Sequence, residues 1–452
     1  MEALPQTKRQ MGVWAATAVV TGEAISLGIF LTPAGMARSL GSPALLAAVW
    51  CGMALLTLAG ALCFTELAVR NPHDGGEYLY LRRGFGPNVA FLYGWMAAIV
   101  MYPGVAAALS VGTVPYLQAL LPISTPVAKA LPALILVTLG ALNYFGAGVN
   151  SGLMTVLNWL KVPVLAALVG WALLSGHATM TNIAPITARR AGSDPLIDAI
   201  AGATISAFFC FGGWWEAGKI AGEVRNPSRN LAVAFSGGVL IVTAIYLLLS
   251  FAFVAVVPMQ QIQSNAAFVA LFGQALFGSA GSRVLSACVV LCVFGGLSVL
   301  SMAVPRVTYA LALGEAGHTK RGGLLSAFAR LHPRFGTPAN AVLLQTGIAL
   351  LVLMLGAFDQ ILAYIIFSAV VFLALTVATL FRTITPVRRW WYPFAPIVFI
   401  TGSGGLALML LMHNPGSAPL GAGVVLLGLP VRWLLTKRGE VPSSIAADSI
   451  SP

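Results

Sequence analysis

Long runs of apolar residues, separated by short polar stretches, occupy the chain from residue 12 to residue 436. The runs contain 18 to 33 residues, which is enough for the roughly 20 residues that an α-helix needs to cross a bilayer. Twelve such runs predict twelve membrane-spanning helices. Their predicted ranges are 12–37, 44–69, 87–118, 127–145, 151–174, 195–222, 231–257, 280–312, 339–356, 359–381, 391–412 and 418–436. The predicted fold class is an all-α membrane protein in which one transmembrane domain fills residues 1–452.

The composition agrees with a membrane protein and excludes several other classes. Of the 452 residues, 58% are hydrophobic and only 8% are charged, whereas soluble domains carry about 25% charged residues. So few charges cannot cover a water-soluble surface, which excludes a cytosolic enzyme, a nucleic-acid binder and a secreted disulfide scaffold. The chain has no HExxH motif, phosphate-binding loop or Ser-His-Asp set. We therefore expect no catalytic residues, no cofactor and no metal.

The net charge of +12 comes from basic residues in the loops between the apolar runs. With the N-terminus placed in the cytoplasm, nineteen of the 25 basic residues fall on the cytoplasmic side and five on the other. Lys161 lies within a span. Because Lys and Arg accumulate in cytoplasmic loops, the pattern predicts a multi-pass protein of the cell membrane with both termini in the cytoplasm. It also explains the positive charge without nucleic acid.

Two predicted spans are interrupted by glycine. The first reads GEAISLGIFLTP, where Gly22 and Gly28 flank a polar patch, and the sixth reads FFCFGGWWEAG, with Gly212 and Gly213 at its middle. Because the two spans are five apart, the second half of the chain would start on the opposite side of the membrane. Broken helices at matching positions are typical of an inverted-repeat transporter with its site near the midplane; two independent packing glycines are the alternative. The predicted repeats cover about 12–174 and 195–381, and two additional helices cover about 391–436.

The backbone of an interrupted helix can bind charged groups. N–H groups at the start of the outer half-helix would face a carboxylate, and carbonyl groups at the end of the inner half-helix would face an ammonium. A free amino acid carries both charges on one carbon. The predicted substrate-binding residues are Ile25, Ser26, Leu27, Gly28 and Ile29 at the first break and Phe209, Phe211, Gly212, Gly213 and Trp214 at the second.

Ionisable residues inside the spans are the candidates for coupling. Lys161 has apolar sequence on both sides, and a lysine at that depth is costly unless it is paired or faces a polar cavity. It either holds carbonyl groups of the first break and exchanges a proton, or anchors helices structurally. Glu23 could sense protons, contact a cationic substrate group or pair with a basic residue. Glu216, Lys219 and Glu223 would form an intracellular gate network or a solvated face.

Four sequence blocks resemble the APC superfamily of transporters. GEAISLGIFLTPAGMARSLGSP is similar to its first span, and TELAVRNPHDGGEYLYLRRGFGP is similar to its loop between the second and third spans. FFCFGGWWEAGKIAGEVRNPSRNL is similar to the sixth span, and SMAVPRVTYALALGEAGH is similar to the end of the eighth. The resemblance extends over essentially the whole chain and is closest to the L-type amino acid transporter branch and its bacterial members.

This resemblance implies a five-plus-five inverted repeat with two further helices and a substrate held at the two breaks. It implies that the substrate carboxylate binds the backbone from Ser26 to Ile29. The amine would lie near Ile25 and the segment from Phe209 to Gly212, and Phe209 would also act as an aromatic gate.

The resemblance also bears on ion coupling. Lys161 aligns with the lysine that occupies the sodium site of sodium-coupled relatives, which implies sodium-independent exchange or proton-coupled uptake. Two positions depart from the family pattern. Leu27 stands where the family commonly has a small residue, and Gly296 stands where it often places a hydroxyl near the lysine, with Ser298 as the nearest hydroxyl.

The predicted function is sodium-independent secondary transport of amino acids by alternating access, either as exchange or as proton-coupled uptake. Neutral L-amino acids are the predicted substrates. A cationic amino acid or polyamine antiporter is the alternative that Glu23 would favour. A membrane receptor or structural subunit without transport is the alternative from another class, and the short loops, which hold no sensor domain, argue against it. The expected partners are an amino acid, the lipid bilayer and, in a proton-coupled mechanism, protons. No residue pattern points to an accessory subunit.

Overall fold

The computed structural model describes residues 9–145, 147–259, 265–316, 324–355, 358–382, 391–413 and 416–437. Six of the basic residues used to predict the orientation lie outside this part of the chain: Lys8, Lys320, Arg321, Arg388, Arg389 and Arg438. The described residues are largely helical and include no β-strand, only one isolated parallel bridge between Met11 and Val224.

The helices of the first half surround an interrupted first span. They are α1 (Val13–Ala24), α2 (Gly28–Leu40), α3 (Pro43–Arg70), α4 (Glu77–Phe85), α5 (Pro87–Met96), α6 (Tyr102–Leu120), α7 (Thr125–Phe145), α8 (Ala147–Leu174) and α9 (Met180–Ile183). A π-helical turn at Ala97–Met101 joins α5 to α6. Eight of the twelve residues of α1 are buried, and α8, α11 and α13 pack against it, where α11 is Pro227–Val256 and α13 is Gly281–Ala303. The broken span therefore lies at the centre of the bundle.

The second half contains the interrupted sixth span. Its helices are α10 (Leu196–Phe211), α11, α12 (Asn265–Phe277), α13, α14 (Pro305–Ala316), α15 (Leu324–Phe328), α16 (Ala339–Leu355), α17 (Phe358–Ala378), α18 (Phe394–His413), α19 (Ser417–Leu426) and α20 (Gly428–Lys437). Short 3₁₀ turns cover Trp214–Gly218, Ala221–Glu223, Gly278–Ala280 and Thr379–Phe381. α11 packs along α3, and α13 packs along α6.

The length and composition of the helices agree with a protein that crosses the membrane several times. Among the described residues, eight helical stretches are long and apolar enough to span, or nine if α1 and α2 form one bent span. Three shorter apolar helices cover Ala339–Leu355, Ile366–Phe381 and Gly421–Leu435. Each predicted segment coincides with helix, so an all-helical, multi-span membrane protein is confirmed, while the number of twelve spans stays a prediction.

Two of the helices that lie outside the predicted segments are longer than one or two turns. α12 has 13 residues, most of them apolar, which is too short to cross a bilayer, and it packs on α2 and α13. α4 has nine residues, and although it lies in a loop it buries Glu77, Tyr78 and Tyr80 against the bundle. α4 matters for function because it brings the carboxylate of Glu77 close to the interrupted sixth span.

Both interrupted spans depart from helix, the first between its two glycines and the sixth at Gly212 and Gly213. α1 and α2 meet at an angle of 46°, and the residue after α1, Ile25, has a non-helical ψ of 80°. α10 ends at Phe211, and Gly213 then takes a left-handed φ of +97° before the 3₁₀ turn. α2 packs along α10, and α1 packs against the 3₁₀ turn of Trp214–Gly218. The two breaks therefore lie side by side.

Candidate functional site

A cavity lies where the two breaks meet, with an empty volume of about 650 Å³ that includes space open to solvent. We call it the central cavity. Its lining residues are Glu23, Ala24, Ser26, Gly28, Met101, Val105, Leu109, Phe208, Phe209, Cys210, Gly212, Gly213, Trp215, Ile366 and Ala369. The walls therefore come from both breaks, from the π-helical turn with α6, and from α17.

Half of the ten predicted substrate-binding residues line the central cavity. They are Ser26, Gly28, Phe209, Gly212 and Gly213. The hydroxyl of Ser26 is buried and has no hydrogen-bond partner within the described part of the chain. A buried hydroxyl without a partner is unfavourable, so a polar group of a ligand would stabilise it.

The predicted residues of the first break that do not line the cavity contribute to packing. Leu27 fits against Gly112 of α6, where an added Cβ would lie 2.6 Å from Leu27 Cδ2. The leucine that replaces the family's small residue therefore points into a contact between helices. Ile25 and Ile29 are completely buried, and the carbonyl of Ile25 accepts a hydrogen bond from Lys161.

The predicted aromatic residues of the second break also divide between wall and packing. The ring of Phe211 lies 6.1 Å from that of Trp50 and 5.2 Å from that of Tyr246. Trp214 packs edge-on against Phe64 at 5.0 Å. Both rings fill the bundle beside the central cavity.

Of the two adjacent tryptophans, Trp215 lines the central cavity, and its ring is stacked on that of Phe208 with a centroid distance of 6.3 Å. Two adjacent tryptophans in a sequence give no indication of which one faces a ligand. Here the choice follows from the left-handed Gly213, which sets the start of the 3₁₀ turn. The apolar wall residues Met101 and Ile366 were missed, because every span of this chain contains similar residues.

Tyr246 of α11 joins the two breaks. Its hydroxyl lies within hydrogen-bonding distance of the carbonyl of Ala24, at the end of α1, and of the carbonyl of Cys210, at 2.8 Å, near the end of α10. One O–H donor is thus shared between two helix ends that lack their own intrahelical donors. A single tyrosine in an apolar run gave no signal for this role.

Lys161 lies at the first break, completely buried. Its ammonium donates hydrogen bonds to the carbonyl of Gly22 at 2.6 Å and to the carbonyl of Ile25 at 2.8 Å. One turn earlier on α8, the amide of Asn158 donates to the carbonyl of Gly295 at 3.4 Å. The hydroxyl of Ser298 donates to the same carbonyl at 2.7 Å.

A second buried lysine lies beyond the other break, in a group that we call the acid–lysine cluster: Glu77, Tyr102, Glu216 and Lys219. The ammonium of Lys219 contacts Glu216 Oε1, lies 3.3 Å from Glu77 Oε1 and donates to the hydroxyl of Tyr102 at 2.6 Å. That hydroxyl in turn donates to Glu216 Oε1 at 3.0 Å. All four side chains are at most 1% exposed, so the alternative of a solvated face is wrong for Glu216 and Lys219.

Glu223 belongs to a separate network at the end of the sixth span. Its carboxylate accepts a hydrogen bond from Arg306 Nε at 2.6 Å, and its carbonyl accepts from the backbone N–H groups of Gln10 and Met11 at 2.9 Å. This network joins the segment before α1 to the loop after the sixth span and to the start of α14. Glu223 and Lys219 therefore do different things, although they lie four residues apart.

Glu23 lies between the two lysines. Its side chain packs directly on Gly213, where an added Cβ would lie 2.5 Å from the Cβ of Glu23. The atom Oε2 is buried and has no hydrogen-bond partner among the described residues. The charges of Glu216, Lys219, Glu77 and Lys161 all act on this carboxyl group. Glu23 is therefore the acidic group that connects the central cavity to the acid–lysine cluster.

A cavity between two interrupted helices, lined by backbone polar groups and aromatic rings inside a multi-span bundle, defines a membrane transporter for a small solute. A family model described as amino acid permease matches residues 11–427. The chain belongs to the amino acid permease family, and the resemblance seen in the sequence blocks is confirmed.

Relatives from bacteria and mammals match nearly the whole chain. The Serine/threonine exchanger SteT of Bacillus subtilis (strain 168) is 27% identical over 442 residues, which cover 95% of this chain and 98% of that protein. The Large neutral amino acids transporter small subunit 2 of Homo sapiens is 27% identical, with 94% and 80% covered. The Asc-type amino acid transporter 1 of Mus musculus is 27% identical, with 94% and 81% covered. The family and these relatives are transporters, so the prediction that the chain is not an enzyme is confirmed.

Proposed function

We propose that this protein is a secondary transporter of neutral L-amino acids that works by alternating access and does not use sodium. The observation that supports the proposal most strongly is the central cavity at the two breaks, where polar backbone groups meet an apolar wall. Relatives named for serine and threonine and for large neutral amino acids point to the same substrate class.

The substrate would lie between the two breaks. Of the backbone from Ser26 to Ile29, the N–H of Ser26 already donates to the carbonyl of Ala24 at 2.9 Å. The substrate carboxylate would therefore bind the N–H groups from Leu27 to Ile29 at the start of α2, together with the hydroxyl of Ser26. Because Lys161 occupies the carbonyl of Ile25, the amine would lie nearer the last carbonyls of α10, from Phe209 onward. Phe209 would close the site as the aromatic gate.

The side chain of the substrate would face an apolar wall. Met101, Val105 and Leu109 line one side of the cavity, and Ile366 and Ala369 line another. Placing a charged side chain against such a wall is unfavourable unless the charge is paired. This wall is the reason for proposing neutral amino acids.

Sodium independence is proposed because Lys161 already places a positive charge on the carbonyl groups of the first break. Two unit charges about 4 Å apart repel by ~4 kcal/mol at an effective dielectric constant near 20. A sodium ion in the same place would therefore bind poorly.

The architecture proposed for this cycle is the one implied by the broken spans. One transmembrane domain would contain twelve spans, with inverted repeats at about 12–174 and 195–381 and two additional helices at about 391–436. The protein would lie in the cell membrane with both termini in the cytoplasm, as the loop charges predict.

A cationic amino acid or polyamine antiporter is the second candidate. The observation that favours it is Glu23, a carboxylate on the wall of the central cavity whose Oε2 has no partner within the described part of the chain. An ammonium or guanidinium group at the end of a substrate side chain could pair with this oxygen.

Uptake into proteoliposomes tests both candidates. We expect purified protein to exchange radiolabelled L-serine or L-leucine at the same rate when choline replaces sodium, with L-arginine and putrescine as weak substrates. Loss of uptake in choline would contradict sodium independence. Preference for L-arginine or putrescine would replace the first candidate by the second.

The position of the substrate can be tested at Gly28. A Cβ on this residue would lie 3.2 Å from Cys210 Sγ and 3.4 Å from Cys210 Cα, so Gly28→Val should fill the space between the breaks and abolish substrate binding. Gly52→Val is the matched control, because no atom lies within 4 Å of the corresponding Cβ on α3. Unchanged affinity in Gly28→Val would place the substrate elsewhere.

A further inference from the structure

The ionisable groups around the two breaks do not sum to zero charge. Three carboxyl groups, of Glu23, Glu77 and Glu216, share this region with two ammonium groups, of Lys161 and Lys219. With every group in its ordinary ionised form, one negative charge remains without a counter-charge. Charges are rare within membrane spans and are almost always paired.

The hydrogen bonding around these carboxyl groups is incomplete, as expected if one negative charge is unpaired. Glu77 and Glu216 are at most 1% exposed, and each uses Oε1 to bind the acid–lysine cluster. In the described part of the chain, Oε2 of each of these residues and Oε2 of Glu23 are buried without a hydrogen-bond partner. Each carboxyl group therefore keeps one oxygen that can hold a proton.

We infer that Glu23, together with the acid–lysine cluster, holds one exchangeable proton that is coupled to the transport cycle. Adding a single proton brings the charge of the three carboxyl groups and two lysines to zero. The inference rests on the proposed function, because it names the coupling ion of the same central cavity.

Glu23 is the entry point for this proton. Of these three carboxyl groups, Glu23 alone lines the central cavity, whereas Glu77 and Glu216 are at most 1% exposed and bind Lys219 in the acid–lysine cluster. In the step proposed, a hydronium ion in the cavity gives its proton to Glu23 Oε2: one O–H bond breaks on the hydronium ion, and one forms on the carboxylate. The reverse step returns the proton to water when the cavity opens on the other side.

Charged groups from three neighbouring elements act on the carboxyl group of Glu23. The 3₁₀ turn and the residue after it contribute Glu216 and Lys219, α4 contributes Glu77, and α8 contributes Lys161. The remaining titratable neighbours are neutral in their ordinary forms: Tyr93 on α5, Tyr102 at the start of α6, Cys210 on α10, Tyr246 on α11 and Cys292 on α13 beside Lys161. A proton fits this closed environment better than a larger cation, because the unpaired oxygens beyond Glu23 are buried.

The test uses proteoliposomes with clamped membrane potential and a pH-sensitive dye inside. We measure the ratio of amino acid accumulation with and without an inward gradient of one pH unit, using L-serine, L-leucine and L-arginine. For one proton per substrate the ratio should be roughly ten, since a factor of ten corresponds to about 1.4 kcal/mol. The dye should report proton entry together with the substrate.

Glu23→Gln and Glu216→Gln each remove the unpaired negative charge, so both variants should bring the ratio to one. Asp198→Asn is the matched control, because this carboxyl group is 62% exposed and lies at the far end of α10; its ratio should equal that of the unmodified protein. Each variant serves as its own reference, because the ratio compares its accumulation with and without the pH gradient. If Glu23→Gln does not fold, Glu216→Gln still tests whether these carboxyl groups hold the transported proton.

The outcomes separate the two proposals. Amino acid exchange without any gradient effect or dye signal would overturn the proton inference and leave the proposed function intact. A ratio that stays near ten in both variants would also overturn it. L-Arginine uptake that depends on Glu23 without proton entry would show that this carboxylate binds a substrate cation instead. No amino acid transport under any condition would overturn the proposed function and the inference together.

Discussion

The two buried lysines of this transporter have opposite kinds of partner. Lys161 binds two backbone carbonyls of the interrupted first span and touches no carboxylate within the described residues. Lys219 binds the carboxylates of Glu216 and Glu77 and the hydroxyl of Tyr102. Both side chains are 0% exposed, so burial alone does not distinguish them.

The difference in partners leads to different expected roles. A full ion pair in a low-dielectric region is held strongly in one geometry, and breaking it leaves an isolated buried charge. Carbonyl dipoles attract an ammonium less strongly, and those of Gly22 and Ile25 lie at a break, where a change of backbone conformation can move them. Lys219 should therefore hold the fold together, and Lys161 should respond to the conformation of the first break.

The largest effect is expected from Lys219→Ala. Removing the ammonium leaves the carboxylates of Glu77 and Glu216 buried without a counter-charge, which costs about 3–5 kcal/mol in comparable buried pairs. We expect a large loss of thermal stability in detergent, measured as the fraction of monodisperse protein after heating.

The double variant Lys219→Ala with Glu216→Gln is the matched control. It has the same formal charge sum around the breaks as the unmodified protein, because one positive and one negative charge are removed together. It should recover much of the lost stability. Equal losses in the single and double variants would show that Lys219 acts through packing and not through charge.

The sequence predicted the position of Lys161 but not that of Lys219. Lys161 lies in the middle of an apolar run, where a lysine has few structural explanations, and the break in the first span offered carbonyl partners. Lys219 lies near the end of a span, where a lysine that reaches water is as ordinary as a buried one. Its burial depends on Glu77, which α4 brings from 142 residues earlier in the chain.

The backbone of the candidate site was more predictable than its side chains. Glycine-rich interruptions indicate a break wherever they occur in an apolar run, and both breaks lie at or between the predicted glycines. Which side chains face the central cavity depends on helix rotation, as the contrast between Trp214 and Trp215 illustrates. The bridge by Tyr246 depends on the packing of α11, which no local pattern encodes.

A smaller effect on stability, with a clear effect on transport, is expected from Lys161→Ala. Two carbonyl groups lose their donor, which costs roughly 1–3 kcal/mol and shifts a two-state equilibrium by about tenfold or more. The variant should fold and bind substrate with altered affinity, and its turnover should be about tenfold slower in liposomes.

The pH response of Lys161→Ala separates this lysine from the acidic groups. Removing a positive charge leaves more unpaired negative charge around Glu23, so the response to an inward proton gradient should persist, although uptake is slower. A gradient response that disappears in Lys161→Ala would indicate that Lys161 itself carries the proton. Turnover equal to that of the unmodified protein at every pH would assign Lys161 a purely structural role.

The smallest effect is expected from Gly295→Ala, which moves the ammonium of Lys161 without removing its charge. An added Cβ would overlap Lys161 Cε and Asn158 Oδ1 and lie 2.5 Å from Lys161 Nζ, and the ends of both side chains can shift to make room. The variant should fold normally and transport severalfold more slowly, in the same direction as Lys161→Ala. Gly170→Ala, on the same helix as Lys161 with nothing within 4 Å of its Cβ, should transport at the normal rate. Combining Gly295→Ala with Lys161→Ala should add little, since neighbouring groups that act through one contact are not additive; full additivity would mean that Gly295 acts on another part of the site.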